Sequence, residues 1–466
     1  MGGTKRRARL VVAAVGATAL AACGGDDGGG DEGGDADGPL VVWTLENLPD
    51  RVAAQEQIAA AFTEESGIAV DLVAIDEDQF DQLLTSSAAA DELPDVVGAL
   101  SLSGVQALAT NELIDTDVAA AVVEELGADT FSEQALELTR DGDTQLAVPS
   151  DGWAQLLVYR KDLFDAAGLA APETYDILAA AETLDSPEVA GFTGATVPND
   201  AFTQQTFEHL ALGNARQLVD DEGEVALDSD ECVAAFEFYD QLITDYSLSG
   251  AQDVDTTRAA YFAGQAAMVV WSSFILDEMA GLRADALPTC PECTDDPAYL
   301  ARNSGVVTAI AGPDSDEGAQ FGEIVSWVVT VGARSDAATR FVTYMMEDGY
   351  EEWIDFSPEG KVPTRQGTAD EPTRFIDAWS TLPAGVDTKA PLGDFYPAEV
   401  LEDLRTSPDT ISPWGIPQGQ GALVGASLGE LPVPQAIAAM TADEMEPGEA
   451  AQQAADALRE IAQSLE

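Results

Sequence analysis

Positive charge is what this chain has least of. Its 466 residues carry 20 Lys and Arg against 85 Asp and Glu, a formal net charge of −65. Lysine occurs only at positions 5, 161, 361 and 389. Binding to phosphate backbones needs basic patches, so nucleic acid is excluded as a partner. An anionic small ligand is disfavoured for the same reason, unless a local arginine pocket holds it. Histidine is nearly missing too: His209 is the only one. That excludes an H-E-x-x-H metal site and makes a catalytic triad unconvincing. Cysteine is scarce, with four in the chain. Cys290 and Cys293 form a CPEC motif without the second pair or nearby histidines that a metal site would need, and without the helix start of a redox motif. In an exported chain thiols tend to pair. A small Cys290–Cys293 disulfide loop is therefore expected, with Cys232 buried and reduced; pairing of Cys232 with one of the two is the alternative. Glycine-rich phosphate loops are absent from the body, and no metal or cofactor is expected. No run of about 20 apolar residues follows Cys23, so the body is expected to be soluble.

What is present begins at the N-terminus. Lys5, Arg6, Arg7 and Arg9 precede an apolar stretch, Leu10–Ala22, too short to span a bilayer but with the flanks of a signal peptide. Leu20-Ala21-Ala22-Cys23 resembles the lipobox of bacterial lipoproteins, which implies lipidation at Cys23 and cleavage before it. An ordinary secretory signal is the alternative, and Arg6-Arg7 also permits twin-arginine export. Residues 23–39, mostly glycine and aspartate, read as a flexible, self-repelling tether. The acidic excess reads first as a salt-adapted, solvated surface of halophilic type, and second as a means of attracting a cationic ligand.

The body is long enough for two or so domains. LVVWTL (40–45), a helix capped at Asp50 and ended by Gly67, IAVDLVAI (68–75), a helix at DQFDQLLTSSAA and PDVVGAL (94–100) form a βαβαβ run, which implies parallel pairing with helices outside. Ligands of such sheets sit at the carboxyl ends of the strands. QLAVPSDGWAQLLVYRKDLFDAAGL (145–169) reads as two strands almost end to end with a Pro-Ser-Asp-Gly break, as a crossing between lobes would. Helices near 174–184, 202–213 and 230–245, strands at 266–271 and 321–333, a helix at 335–347 and a loop at 359–367 follow.

Several of these segments, in order along the chain, resemble the extracellular solute-binding proteins of ABC importers, of the carbohydrate type that includes maltose-binding proteins. FTEESGIAVDLV and LPDVV resemble the family's start; AVPSDGWAQLLVYRKDLFDAAGL resembles its first crossing; AAYFAGQAAMVVWSSF resembles the segment leading to a pocket aromatic; GEIVSWVVTVGARSDAATRFVTYMM and PTRQG resemble the second crossing and its following loop. The CPEC motif and the extreme acidity are not general family features. The resemblance implies a two-lobed periplasmic-binding-protein-like fold (type II) of the α/β class, each lobe a mixed sheet flanked by helices, hinge-linked. Expected lobe boundaries are 40–150 plus 322–372, and 151–321 plus 373–466. It also implies no enzymatic activity, a monomer, an ABC permease as partner, and a membrane contact through the lipid anchor only.

A sugar offers apolar ring faces and a rim of hydroxyls, so its site wants aromatic platforms with carboxylates, amides and arginine around them. The expected ligand residues are Trp43 and Glu46 at a strand end, Asp151 and Trp153 at the first crossing, Trp271, Ser272 and Phe274 after AAMVV, Trp327 in the second crossing and Arg365 in PTRQG. Asp200, Gln204 and Trp414 are weaker candidates; Trp353 and Trp379 are expected in the core, and His209 on a helix face without a special role. A polyamine or other cationic solute in the same fold is the alternative ligand. A secreted glycoside hydrolase is a remote alternative, and a receptor that signals to a membrane sensor is a further one.

Overall fold

The computed structural model describes residues 38–465 apart from 215, 216, 221, 314, 316 and 317. The signal segment 1–22, the lipidation site Cys23 and tether residues 23–37 lie outside the described residues. No single described helix is long and apolar enough to cross a membrane.

Three strands open the body: β1 (Leu40–Thr44), β2 (Val70–Ala74) and β3 (Val96–Leu100). Helices α1 (Pro49–Ser66) and α2 (Glu77–Ala90) connect them, and β1 pairs in parallel with both β2 and β3. The α1 start differs from the expectation at Asp50. Pro49 occupies the first helical turn after an extended Leu48, because its missing N–H costs nothing there. Gly67 ends the helix in the left-handed conformation, donating its N–H to Thr63. Ala99 at the end of β3 also takes a positive φ, 58°, at an irregularity in the sheet register. That turn feeds helix α3 (Leu102–Thr110), capped by the Ser101 hydroxyl. Helix α4 (Thr116–Leu126) follows.

One strand organises the rest. β4 (Val148–Arg160) runs for 13 residues through the Pro-Ser-Asp-Gly stretch, which bulges rather than breaks the strand. Its first half, Val148 to Ala154, pairs antiparallel with β7 (Gly322–Val329), while Asp151 and Gly152 pair with β8 (Val362–Pro363). Its second half, from Gln155, pairs with β5 (Met268–Ser272) and β6 (Ser304–Val307). β7 in turn pairs antiparallel with β3. The order β8-β4-β7-β3-β1-β2 is thus one mixed sheet, and β4 carries on out of it into a second. β7 ends at Val329, earlier than the expected 333, because Thr330 turns away to bridge Ile114. The remaining helices used below are α5 (Ala201–Gly213), α6 (Asp230–Tyr246), α7 (Ile275–Met279), α8 (Ser335–Met346), α9 (Tyr350–Asp355), α10 (Gly421–Ser427), α11 (Pro432–Thr441) and α12 (Pro447–Ser464).

The cores follow the period-two alternation of the strands. In the first lobe Trp43, Phe80, Val97 and Val328 fill one face of the sheet, and Val42, Val96, Trp327 and Phe341 the other. In the second lobe Leu157 and Val270 join Phe207, Phe236, Tyr239, Ile437 and Leu458 from α5, α6, α11 and α12. Leu156, Val158, Val269 and Trp271 face the opposite way, with Tyr261 and Ile275. Along α12, Ala454, Leu458 and Ile461 are buried as the spacing predicts, whereas Leu465 lies past the helix end and is exposed.

Candidate functional site between the lobes

The partner change at Ala154 and Gln155 places residues of both lobes against one another. On the first-lobe side the β1–α1 loop brings Glu46, and the first turn of α1 brings Arg51, to the loop before β8. Arg51 donates to the Glu46 carboxylate at 2.6 Å and to the Ser357 hydroxyl at 2.9 Å. Lys361, fully buried, lies 2.5 Å from the Glu46 carboxylate and 3.0 Å from that of Asp151. The Asp151 carboxylate also accepts from the Trp353 indole at 2.8 Å and the Ser150 hydroxyl at 2.6 Å. Burial alone would raise the Glu46 pKa; Arg51 and Lys361 outweigh it and bring the group down to about 2. Glu46 and Asp151, both expected to meet ligand, are therefore turned inward by a lysine, and their first task is to hold the crossing to the first lobe.

On the second-lobe side the end of β5 presents Ser272 and Phe274, both half-buried. The Arg51 guanidinium of the first lobe lies over the Phe274 ring, 4.8 Å from its centroid, and Gly360 comes so close to that ring that no side chain would fit. A second reach across the junction pairs Arg283 with Asp50 at 3.8 Å. Behind Phe274, α7 carries Asp277 and Glu278. Arg258 pairs with Glu278 at 2.9 Å.

The floor is formed by the crossing segments. Trp153 sits half-buried opposite Glu323 in the β4–β7 register and meets the Phe321 ring edge-on at 6.0 Å. Glu323 accepts from the Leu102 N–H at the start of α3, 3.2 Å away, and burial raises it to about 7. Glu208 on α5 accepts from the Trp414 N–H at 2.6 Å; burial raises it to about 8. His209, on α5 as expected, lies on its buried face, accepts the Phe321 N–H at Nδ1 (3.3 Å) and is pushed by burial down to about 3, so it is a neutral acceptor inside the fold. At the far side α10 lies directly on α3, with Gly421 against Gln106 and Gly425 against Ala107, so the two lobes are in contact there as well.

Four expected ligand residues do not reach this junction. Trp43 is buried in the first-lobe core, edge-on to Phe80 at 6.5 Å. Trp271 packs inside the second lobe, its indole donating to the Val254 carbonyl at 3.0 Å beside Phe202; the residue that faces the first lobe is Phe274, three positions on. Trp327 is enclosed by Trp353 and Phe341, and Gly98 in β3 leaves the room for its ring. Arg365 donates to the carbonyls of Met346 (2.5 Å) and Leu126 (3.2 Å), closing the ends of α8 and α4 together. Asp200 caps α5 by accepting the Phe202 N–H. Trp353, Trp379 and Trp414 are all buried. Cys290 and Cys293 are joined by a disulfide, and Cys232 is buried outside it, beside the Gln217 carbonyl.

Sequence reasoning missed Arg51, Lys361, Glu208 and Glu323. Lys361 carried a signal, as one of only four lysines in so acidic a chain; the carboxyls were lost among 85 acids. The G-x-S-x-G of hydrolases, expected to be absent, is in fact spelled by Gly425-Ala426-Ser427-Leu428-Gly429. Ser427 ends α10 and donates to the Val424 carbonyl at 2.8 Å, so the strand-to-helix elbow such a nucleophile needs is not there.

The family profile described as bacterial extracellular solute-binding protein matches residues 46–352. The chain belongs to that family. This solute-binding protein is 26% identical over 334 residues to the putative ABC transporter periplasmic-binding protein YcjN of Escherichia coli K12, covering 70% of this chain and 72% of the relative. Its fold is that of the GacH receptor of Streptomyces glaucescens, solved unliganded and with acarbose (TM-score 0.68, 19% identity, 92% of this chain and 99% of that one). Maltose-bound MalE3 of T. maritima matches with a TM-score of 0.69 at 17% identity, covering 90% and 99%. A sugar transporter of Arthrobacter chlorophenolicus with bound laminaribiose matches with a TM-score of 0.69 at 18% identity, covering 91% and 99%. The solute-binding protein accordingly has the two-lobed periplasmic-binding fold, and its family is one of extracellular proteins.

Proposed function

We propose that this protein is the substrate receptor of an ABC importer and binds a mono- or oligosaccharide between its lobes. One observation carries the reading. Trp153 on the shared strand and Phe274 on the second lobe are aromatic rings left half-buried at the junction, as is Phe356 below Lys361, with Ser272, Glu46 and Arg51 beside Phe274. That is a stacking platform with a polar rim, the chemistry a sugar ring requires. The sugars held by GacH, MalE3 and the Arthrobacter protein support it.

Ligand touching both lobes favours the state in which they are together, and the permease then reads that state. The Cys23 lipobox supports a lipid anchor that holds the monomeric receptor near its permease. No catalytic step is required of it. Screening the protein against mono- and oligosaccharides by thermal shift at fixed salt tests the reading: saturable stabilisation with the sugar recovered unchanged is expected. Turnover of the sugar, or no stabilisation by any saccharide, would contradict it. Mass spectrometry of the mature N-terminus, expected to show an acylated Cys23, tests the anchor separately.

A further inference from the structure

On the shared strand lies a buried side-chain amide that no described residue engages. Gln155, on β4 where the strand changes partners, is 0% exposed, and neither its amide nitrogen nor its amide oxygen has a hydrogen-bond partner. Among the described residues no other buried glutamine or asparagine is unmet at both ends. Gln145 shows how the fold treats the same group elsewhere. Its Nε2 donates to the Ala147 carbonyl at 2.7 Å and the Thr139 hydroxyl at 2.8 Å, and its Oε1 accepts from Arg140 at 2.8 Å. A buried amide without partners opposes folding, so Gln155 calls for a partner that the chain itself does not supply.

The strands fix where that amide stands. From Trp153 onward β4 alternates regularly: Trp153 and Leu157 pack on the face that Phe207 and Val270 share, and Ala154, Leu156 and Val158 on the other. Gln155 therefore shares the face of Trp153, about 7 Å further along the strand. Its register partner on β5 is Ser272, which the alternation of Val270 and Trp271 sets on that same face. The Gln155 backbone N–H is held by the Phe321 carbonyl at 2.9 Å, and Phe321 is the ring that meets Trp153 edge-on. Gln155 thus neighbours both half-buried Trp153 and half-buried Ser272, two residues of the junction.

An amide also selects what it meets. It offers N–H donors and an acceptor oxygen side by side, so an ammonium satisfies one end, a carboxylate the other, and an apolar group neither. Two adjacent hydroxyls, each both donor and acceptor, satisfy both ends. We propose that Gln155 is a specificity-determining residue of the saccharide site, whose amide reads one pair of adjacent ring hydroxyls on the sugar stacked against Trp153, donating to one and accepting from the other. This rests on the saccharide reading above and deepens it: it names the contact by which sugars of one hydroxyl pattern are told from their epimers and deoxy forms.

The test is calorimetric titration of the whole protein at fixed salt against glucose, galactose, mannose, maltose, cellobiose and laminaribiose, followed by the monodeoxy derivatives of whichever binds most tightly. Loss of either hydroxyl of one adjacent pair is expected to weaken binding to the wild type about tenfold. Gln155→Met, close in length and without strong hydrogen-bonding groups, is expected to bind the parent sugar about tenfold more weakly and those two deoxy sugars no worse than the parent. Its melting temperature without sugar is expected to equal or exceed that of the wild type, because no engaged bond is lost. A wild type indifferent to the loss of every single hydroxyl overturns the proposal, whether or not the variant folds. So does a variant that binds the parent sugar as the wild type does, or keeps the same hydroxyl preferences. A variant that melts well below the wild type overturns it too, since the amide would then serve the fold through a trapped water. Each of these results leaves the saccharide reading standing, whereas binding of none of the sugars by the wild type overturns both.

Discussion

At the scale of the residue, the most exposed wager in this protein is a lysine with nowhere else to go. Lys361 is enclosed between Glu46 and Asp151 and lies over the Trp353 ring, 4.2 Å from its centroid. Removing one member of a buried pair strands the charges that remain, at a cost of about 3–5 kcal/mol. Lys361→Met should therefore lower the melting temperature by many degrees, whereas the double change of Asp151→Asn with Lys361→Met should restore part of it, because Glu46 keeps Arg51 while Asp151 has Lys361 as its ion-pair partner. Glu208 leads to a prediction of the opposite kind. Burial raises its folded pKa to about 8, far above that of the unfolded chain. A carboxyl held protonated by the fold contributes stability that is fully present below its unfolded pKa and is lost as pH rises through the folded value. Melting temperature should thus fall between about pH 5 and 8, and Glu208→Gln should flatten that slope by an amount on the order of a few kcal/mol. An unchanged slope in the variant would show that Glu208 is ionised in the fold.

Elements decide what such residues can reach, and here sequence and structure can be compared. The βαβαβ opening, the crossing at 145–169 and the strand before Phe274 were legible because hydrophobic periodicity and turn residues agree there. Which aromatic faces the junction was not. Period-two alternation places Trp153 and Trp327 on crossing strands, yet such strands are covered on both faces, so alternation alone cannot separate the ring at the junction from the ring in the core. The local clue for Trp327 is Gly98, on the strand next to it, and only pairing in three dimensions connects them. Gly98→Ala should force that indole off its seat and cost about 1–3 kcal/mol, read as a lower midpoint of denaturation with an unchanged m-value. Arg365 was misplaced for a similar reason: the ends of α4 and α8 that it closes are brought together by folding, and nothing within PTRQG announces them. Trp271 and Phe274 show how three positions matter, since β5 ends between them and the chain turns into α7.

For the whole molecule, charge and the shared strand set the behaviour. With a net charge of −65, self-repulsion opposes the compact state, and salt screens it within about 10 Å at 0.1 M. Melting temperature should rise steadily as sodium chloride is increased to the molar range; a flat or falling curve would remove the salt-adapted reading. The two lobes are joined by a continuous β4, so a change at the junction is felt by both. The central claim is that a saccharide is held at that junction, against one ring from the shared strand and one from the second lobe. Calorimetric titration of the wild type, Trp153→Ala and Phe274→Ala with the sugar that stabilises the protein most tests it directly. The account predicts single-site saturable binding that each substitution weakens by about tenfold or more, with both variants folded. Unimpaired binding in both variants, or a sugar consumed rather than retained, would contradict it.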